Sequence, residues 1–147
     1  MKLKIAWIGK TKEAAIQTLT DEYLGRLSHY SQTEGLVFKD EESLLKFSWA
    51  ATHNSRAALV LLDSKGKQLS SEDLAKFIGD HRDRSSQPLL FAVGPANGFS
   101  SEAKASATML LSLGNMTIAH ELARVVLLEQ LYRAFTILKG HPYHLGH

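Results

Sequence analysis

The chain has 147 residues, of which 44% are hydrophobic and 22% charged, with a formal charge of +2 and no cysteine. This length makes one domain, residues 1–147, able to bury roughly 68–70% of its unfolded surface. The composition excludes disulfides, thiolate zinc sites and a cysteine nucleophile. The apolar run at Met1–Ile8 is too short for a signal peptide or membrane span, and the charge is a weak argument for nucleic acid.

In chain order, Leu3 to Ile8 reads as a short buried strand stopped by Gly9. Lys12 to Leu27 is predicted helical, with Ile16, Leu19, Tyr23 and Leu27 as its stripe. Gly35 to Lys39 is a second strand and Glu41 to Ala51 a second helix. Ala57 to Leu62 is an unbroken apolar run closed by Asp63, the pattern of a strand buried on both faces of a parallel sheet. Ser64-Lys65-Gly66-Lys67 reads as a turn. Ser70 and Asp73 resemble a capping pair for the helix carrying Leu74, Phe77 and Ile78.

Pro88 to Val93 is a fourth continuous apolar strand, followed by the loop Gly94-Pro95-Ala96-Asn97-Gly98-Phe99. Ser100 can cap a helix from Ser101 to about Met109, and Leu110 to Leu113 is a fifth strand. Strand–helix alternation throughout predicts one α/β domain with a mainly parallel sheet flanked by helices.

The stretch from Leu113 to His147 carries most of the information. His120 to Lys139 is a helix ended by Gly140 and Pro142. Its apolar residues, among them Leu122, Val125, Val126, Leu127, Leu128, Leu131, Phe135, Ile137 and Leu138, surround most of the wheel. Such a helix is buried on more than one side. Meeting a second subunit predicts a homodimer; a central helix of a monomer is the alternative. Glu129 and Arg133 are spaced for an i,i+4 ion pair, or for an arginine held toward a ligand.

Ligands of open α/β sheets bind outside the carboxyl ends of the strands. Three such ends stand out: Leu62 with Asp63, Gly94, and the run Gly114-Asn115-Met116-Thr117-Ile118-Ala119. Glycine admits close backbone approach there, and Leu62, Met116 and Ile118 could line a slot for a flat ring. The spacing of Gly94 and Gly98 also fits a tight turn. Neither the dinucleotide fingerprint nor the phosphate loop is present, which argues against a Rossmann-type oxidoreductase. His141, His144 and His147 have no carboxylate or cysteine beside them, so no metal site is predicted. Tyr143 and His144 combine a stacking ring, a hydroxyl and a group able to move protons near neutral pH, which suits a nucleobase.

Tyr132-Arg133-Ala134-Phe135 followed by His141-Pro142-Tyr143-His144 resembles the C-terminal signature of the 23S rRNA pseudouridine N3-methyltransferases of the SPOUT superfamily. Supporting matches lie at Met1 to Lys10, Glu22 to Leu27, Leu61 to Lys67 and Gly94-Pro95-x-x-Gly98. The resemblance runs the whole chain and implies an α/β fold with a C-terminal trefoil knot, a homodimer and a cytoplasmic address without membrane. It implies S-adenosylmethionine at Leu62, Gly94 and Gly114, Asn115, Met116, Thr117, Ile118 and Ala119, and no metal. The implied substrate is a pseudouridine of helix 69 in 23S rRNA, within the assembled ribosome. Its N3 would be methylated with His144 handling the proton, Tyr143 holding the base and Arg133 neutralising charge. The alternative is a non-catalytic ribosome- or RNA-binding module on the same fold. Two residues depart from the family pattern: Leu145 stands where a basic residue is usual, and Val93 where a glycine is common.

Overall fold

Five short strands alternate with five helices in the computed structural model, which describes residues 1–51 and 58–144; His144 is described by its backbone alone. Ala57, Leu145 and His147 lie outside the described residues. The strands are β1 (Lys2–Ile8), β2 (Gln32–Phe38), β3 (Ala58–Gln68), β4 (Leu89–Val93) and β5 (Met109–Ser112). The helices are α1 (Ala14–Leu27), α2 (Glu41–Ala50), α3 (Ser71–Arg84), α4 (Ser101–Ser106) and α5 (His120–Lys139). All strand pairs are parallel, in the order β2-β1-β4-β3-β5, so every strand ends at the same edge.

The continuous apolar runs are explained by burial on both faces. Successive side chains of a strand point to opposite sides. Leu3, Ile5, Trp7, Val60, Leu89, Phe91 and Val93 therefore pack with residues of α1, α3 and α5. Their neighbours Ala6, Ile8, Leu59, Leu61, Leu90 and Ala92 pack with Leu44 of α2, Ala103 of α4 and Phe99. Every residue of β4, at the centre, is buried.

Helix α5 sits between α1 and α3, against the sheet. Leu127, Leu128, Leu131, Ala134 and Phe135 are buried there, while Leu122 is 48% exposed. Its apolar girth is thus met inside one chain, as in the central-helix alternative, and by itself does not require a second subunit. Gly140 adopts the left-handed conformation at φ 72°, and the amides of Gly140 and His141 donate to the carbonyls of Ile137 and Thr136, which closes the helix. Among the described residues no helix is long and apolar enough to cross a membrane.

Three expected boundaries move. Strand β2 begins at Gln32 because its whole length pairs with β1, and main-chain pairing does not need apolar side chains on this half-exposed edge. Helix α4 stops at Ser106, since Ala107 and Thr108 turn into β5 and the Thr108 amide donates to Leu59 O. Strand β3 continues through Ser64-Lys65-Gly66-Lys67, which composition reads as a turn. Leu62 and Lys67 both register with Leu111 of β5, and residues 63–66 are displaced from the ladder between them.

Gly66 is what lets the displaced segment lie against β5. A Cβ there would stand 2.6 Å from the Leu110 carbonyl carbon and 2.9 Å from the Leu111 nitrogen, both backbone atoms. Neither strand has a flexible atom to move aside. Gly66→Ala is expected to destabilise the fold by about 1–3 kcal/mol, the usual cost of overpacking. A denaturant midpoint unchanged from wild type would contradict this close passage.

Candidate functional site

The three strand ends singled out by composition are neighbours in space. Strands β4, β3 and β5 are consecutive in the sheet, so Gly94, the outer half of β3 and the 114–119 loop share one edge within roughly 10 Å, two strand spacings. Gly94 follows the buried Val93 directly. An added Cβ at Gly94 would meet the Phe99 ring at 3.1 Å, so this glycine makes room for Phe99 and not for open space above the sheet. Leu62 is half-buried within β3, before the displaced segment.

Ser112 shapes the loop after β5. Its hydroxyl accepts from the Gly114 amide at 3.1 Å and lies 3.1 Å from Ser64 O and 3.0 Å from Gly114 O. Gly114 then turns at φ 140°, a conformation that L side chains rarely adopt. Asn115 accepts from the Gln68 side chain at 2.6 Å, which ties the loop to the far end of β3. Met116 is 84% exposed, Thr117 and Ala119 are exposed, and Ile118 packs on the core. The amides of Met116, Thr117 and Ile118 make no hydrogen bond among the described residues. Helix α5 begins at Ala119 without a side-chain cap. The loop therefore presents unpaired backbone donors beside apolar side chains, which fits a flat heterocycle whose polar edge needs backbone partners.

Two residues that sequence reading left without a role tie the start of α5, where this loop ends, to residues 8–13. The Glu121 carboxylate accepts from the backbone amides of Lys12 (3.0 and 3.1 Å) and Glu13 (3.1 Å), and so takes up donors at the start of α1, which lacks a side-chain cap of its own. Arg124 is fully buried; its guanidinium donates to Thr11 Oγ1 at 2.9 Å, Ile8 O at 3.0 Å and Gly9 O at 3.1 Å, and lies 5.7 Å from the Trp7 ring centroid. Burial lowers the Arg124 pKa and nearby Glu121 opposes that shift. A Glu and an Arg three residues apart inside a greasy helix were the available signal.

Arg133 and Tyr143 belong to a separate cluster. Arg133 pairs with Glu129 at 2.9 Å, and the Tyr143 hydroxyl donates to the same carboxylate at 3.0 Å. The Arg133 guanidinium lies 5.1 Å from the Tyr143 ring centroid, and Tyr132 meets that ring edge-on at 4.8 Å. Burial first, then the bond to Glu129, push the Tyr143 phenol well above its ordinary pKa, so it is a neutral donor at physiological pH. Tyr23 and Tyr30 continue the chain of rings, so all four tyrosines of the protein gather here. Tyr30 and His141 lie 2.7 Å apart.

The expected site residues thus fall into two groups. Leu62, Gly94 and Gly114 to Ala119 come together at the carboxyl edge. Arg133 and Tyr143 gather about Glu129, roughly 15–21 Å along α5 from Ala119. A cleft of about 800 Å³ bordered by Trp49, Phe77, His81 and Arg84 includes Ala58 and Thr108, at the starts of β3 and β5, away from both groups.

The lowered pKa of Glu121, caused first by the Glu13 amide and then by the Lys12 amide, makes a pH prediction. A depressed carboxylate stabilises the fold above its unfolded value, here 4.5, and loses that contribution as pH falls through the folded value. Glu121→Gln is expected to be less stable than wild type at neutral pH, with the gap closing below 4.5. Urea midpoints across that range check it; a gap independent of pH would contradict it.

Comparison with known proteins places this geometry. Residues 1–144 match a family described as "Predicted SPOUT methyltransferase". The chain is 60% identical over 147 residues to the ribosomal RNA large subunit methyltransferase H of Koribacter versatilis (strain Ellin345), covering 100% of each. It is 41% identical to the protein of the same name from Geotalea daltonii, covering 98% of this chain and 99% of that one. Among solved structures, the SpoU methyltransferase AviRb of Streptomyces viridochromogenes, in complex with the cofactor AdoMet, shares the fold at a TM-score of 0.56 and 13% identity. That alignment covers 95% of this chain and 59% of the other.

Proposed function

The chain belongs to the SPOUT methyltransferase family, and on that premise we propose that it methylates N3 of a pseudouridine in large-subunit ribosomal RNA, using S-adenosylmethionine. The observation that carries this reading is the loop from Gly114 to Ala119, preformed beside Gly94 and Leu62 with the amides of Met116, Thr117 and Ile118 unpaired. A solved relative of the same fold binds AdoMet, and the most similar relatives described above are named for ribosomal RNA. The finer target, helix 69 of 23S rRNA in the assembled ribosome, follows from the resemblance of Tyr132 to Ala134 and His141 to His144 to that enzyme family. The resemblance also implies a trefoil knot.

S-adenosylmethionine bound at this edge would supply an electrophilic methyl on a positively charged sulfur. The chain's residues then have three tasks. The 114–119 backbone holds the adenine edge and Ile118 offers apolar surface beside it. Tyr143, its hydroxyl held by Glu129, would stack on the base, and Arg133 would stabilise charge that develops on the uracil oxygens as N3 attacks. His144 accepts the N3 proton, so that the products are the methylated base, the neutral thioether and a proton passed to solvent.

Along α5 the two groups stand apart, with Glu129, the partner of Tyr143, roughly 15 Å and Arg133 roughly 21 Å beyond Ala119. The resemblance implies that the site is completed across a homodimer, with the tail of one copy serving the loop of the other, and this separation supports that reading.

The test is to incubate the protein with labelled S-adenosylmethionine and ribosomes from a strain lacking the modification, then map the labelled base. Label at N3 of a pseudouridine of helix 69 is expected, and His144→Ala should lower turnover while calorimetric cofactor binding stays intact. Absence of S-adenosylmethionine binding would contradict the enzyme and favour a non-catalytic RNA-binding module.

A further inference from the structure

Five of the seven lysines without an ion pair among the described residues lie at one edge of the sheet. Lys10 and Lys12 follow β1, Lys39 follows β2, and Lys65 and Lys67 stand in the outer half of β3. All five are exposed at the carboxyl edge of the sheet, and none lies within ion-pair distance of a carboxylate among the described residues. Of the other lysines, Lys4, Lys46, Lys76 and Lys104 each hold an acidic partner, and Lys2 and Lys139 hold none among the described residues.

The acidic groups of the same edge keep their charge but are held by partners other than these lysines. Asp40 accepts from the Ser43 amide, Glu41 from Ser100, and Glu121 from Lys12 and Glu13 amides, while Asp63 is paired with Lys104. Glu42 is paired with Lys46, and Glu13 is exposed beside the lysines of its loop. The lysines run from β2 across β1 to β3, roughly 14 Å or three strand spacings; they flank Gly94 and end one strand short of the 114–119 loop, which follows β5. The loop that bears Lys10 and Lys12 is fixed by Arg124 and Glu121, so these charges have a defined place relative to the methyl-donor loop.

We propose that Lys10, Lys12, Lys39, Lys65 and Lys67 form the track that holds the phosphodiester backbone of the substrate RNA over the cofactor loop. This rests on the reading of the chain as an RNA methyltransferase. Lysines at fixed positions contact phosphates without reading sequence, so they position the strand and leave base choice to the tail. Each phosphate neutralised releases counterions, and binding then weakens linearly in log salt with a slope near −0.7 per contact for single strands.

The experiment measures binding to purified large ribosomal subunits over a range of salt. It compares wild type, the rim pair Lys10→Gln/Lys12→Gln, and a pair of equal charge change at the amino edge, Lys2→Gln/Arg84→Gln. The rim pair should bind more weakly at every salt, with the slope reduced by about 1.4. The amino-edge pair should keep the wild-type slope, and both should bind S-adenosylmethionine as wild type does by calorimetry. If wild type binds and both pairs change the slope alike, or neither does, the lysine track falls and the methyltransferase reading stands. If wild type itself does not bind the subunits, both fall together.

Discussion

The buried guanidinium of Arg124 is the interaction on which this architecture turns. It joins the last helix to the first loop, across more than a hundred residues of sequence, through Ile8 O, Gly9 O and Thr11. Hydrogen bonds to a charged group contribute about 1.5–3 kcal/mol each, and a buried charge without them would be prohibitive. A lysine could not replace it: only the planar fork reaches a hydroxyl and two carbonyls at once while lying against Trp7. Glu121, one turn earlier, makes the reciprocal contact by caching the first amides of α1. The pair therefore fixes where α5 begins, and so where the loop from Gly114 to Ala119 ends.

Everything functional in the chain is distributed about that anchored helix. Its amino end carries the loop with unpaired backbone donors, and its far end carries Arg133 and the tail with Tyr143. The sheet edge beneath the amino end bears exposed lysines, whereas acidic partners neutralise the cations of helices α1, α2 and α4. The net charge of +2 does not show this placement: the five lysines of the carboxyl edge have no carboxylate partner among the described residues, while the acidic side chains there hold amides, a hydroxyl or a helix lysine.

The layered fold was legible in the sequence because strands buried on both faces read as unbroken apolar runs, as Leu59 to Leu61 and Leu89 to Val93 do. The strand ends at Gly94 and Gly114 were legible for a related reason: glycine beside such a run marks a turn or a close approach. What composition could not show was which of these it is. Gly66, set among Ser64, Lys65 and Lys67, carries every local mark of a turn, yet lies in a strand pressed on the backbone of β5. Gly94 makes room for the Phe99 ring, a partner five residues ahead that spacing does not reveal. The girth of α5 looked like a subunit interface because the pattern counts apolar faces without saying which element covers each; α1, α3 and the sheet cover most of them. Arg124 and Glu121 were hidden by the same blindness to partners distant in sequence.

The proposed sharing of each site between two copies is open to direct complementation, because loop and tail stand apart along α5. Gly114→Val, barred by the φ of 140°, should remove the cofactor loop, and deletion of residues 141–147 should remove the tail; each is inactive alone. Co-expressed, the two form mixed dimers with one intact site, and labelled methyl transfer to ribosomal RNA should return to about one quarter of the wild-type level. A mixture as inactive as its parents, or a tail-deleted protein that still transfers methyl groups, would contradict the account.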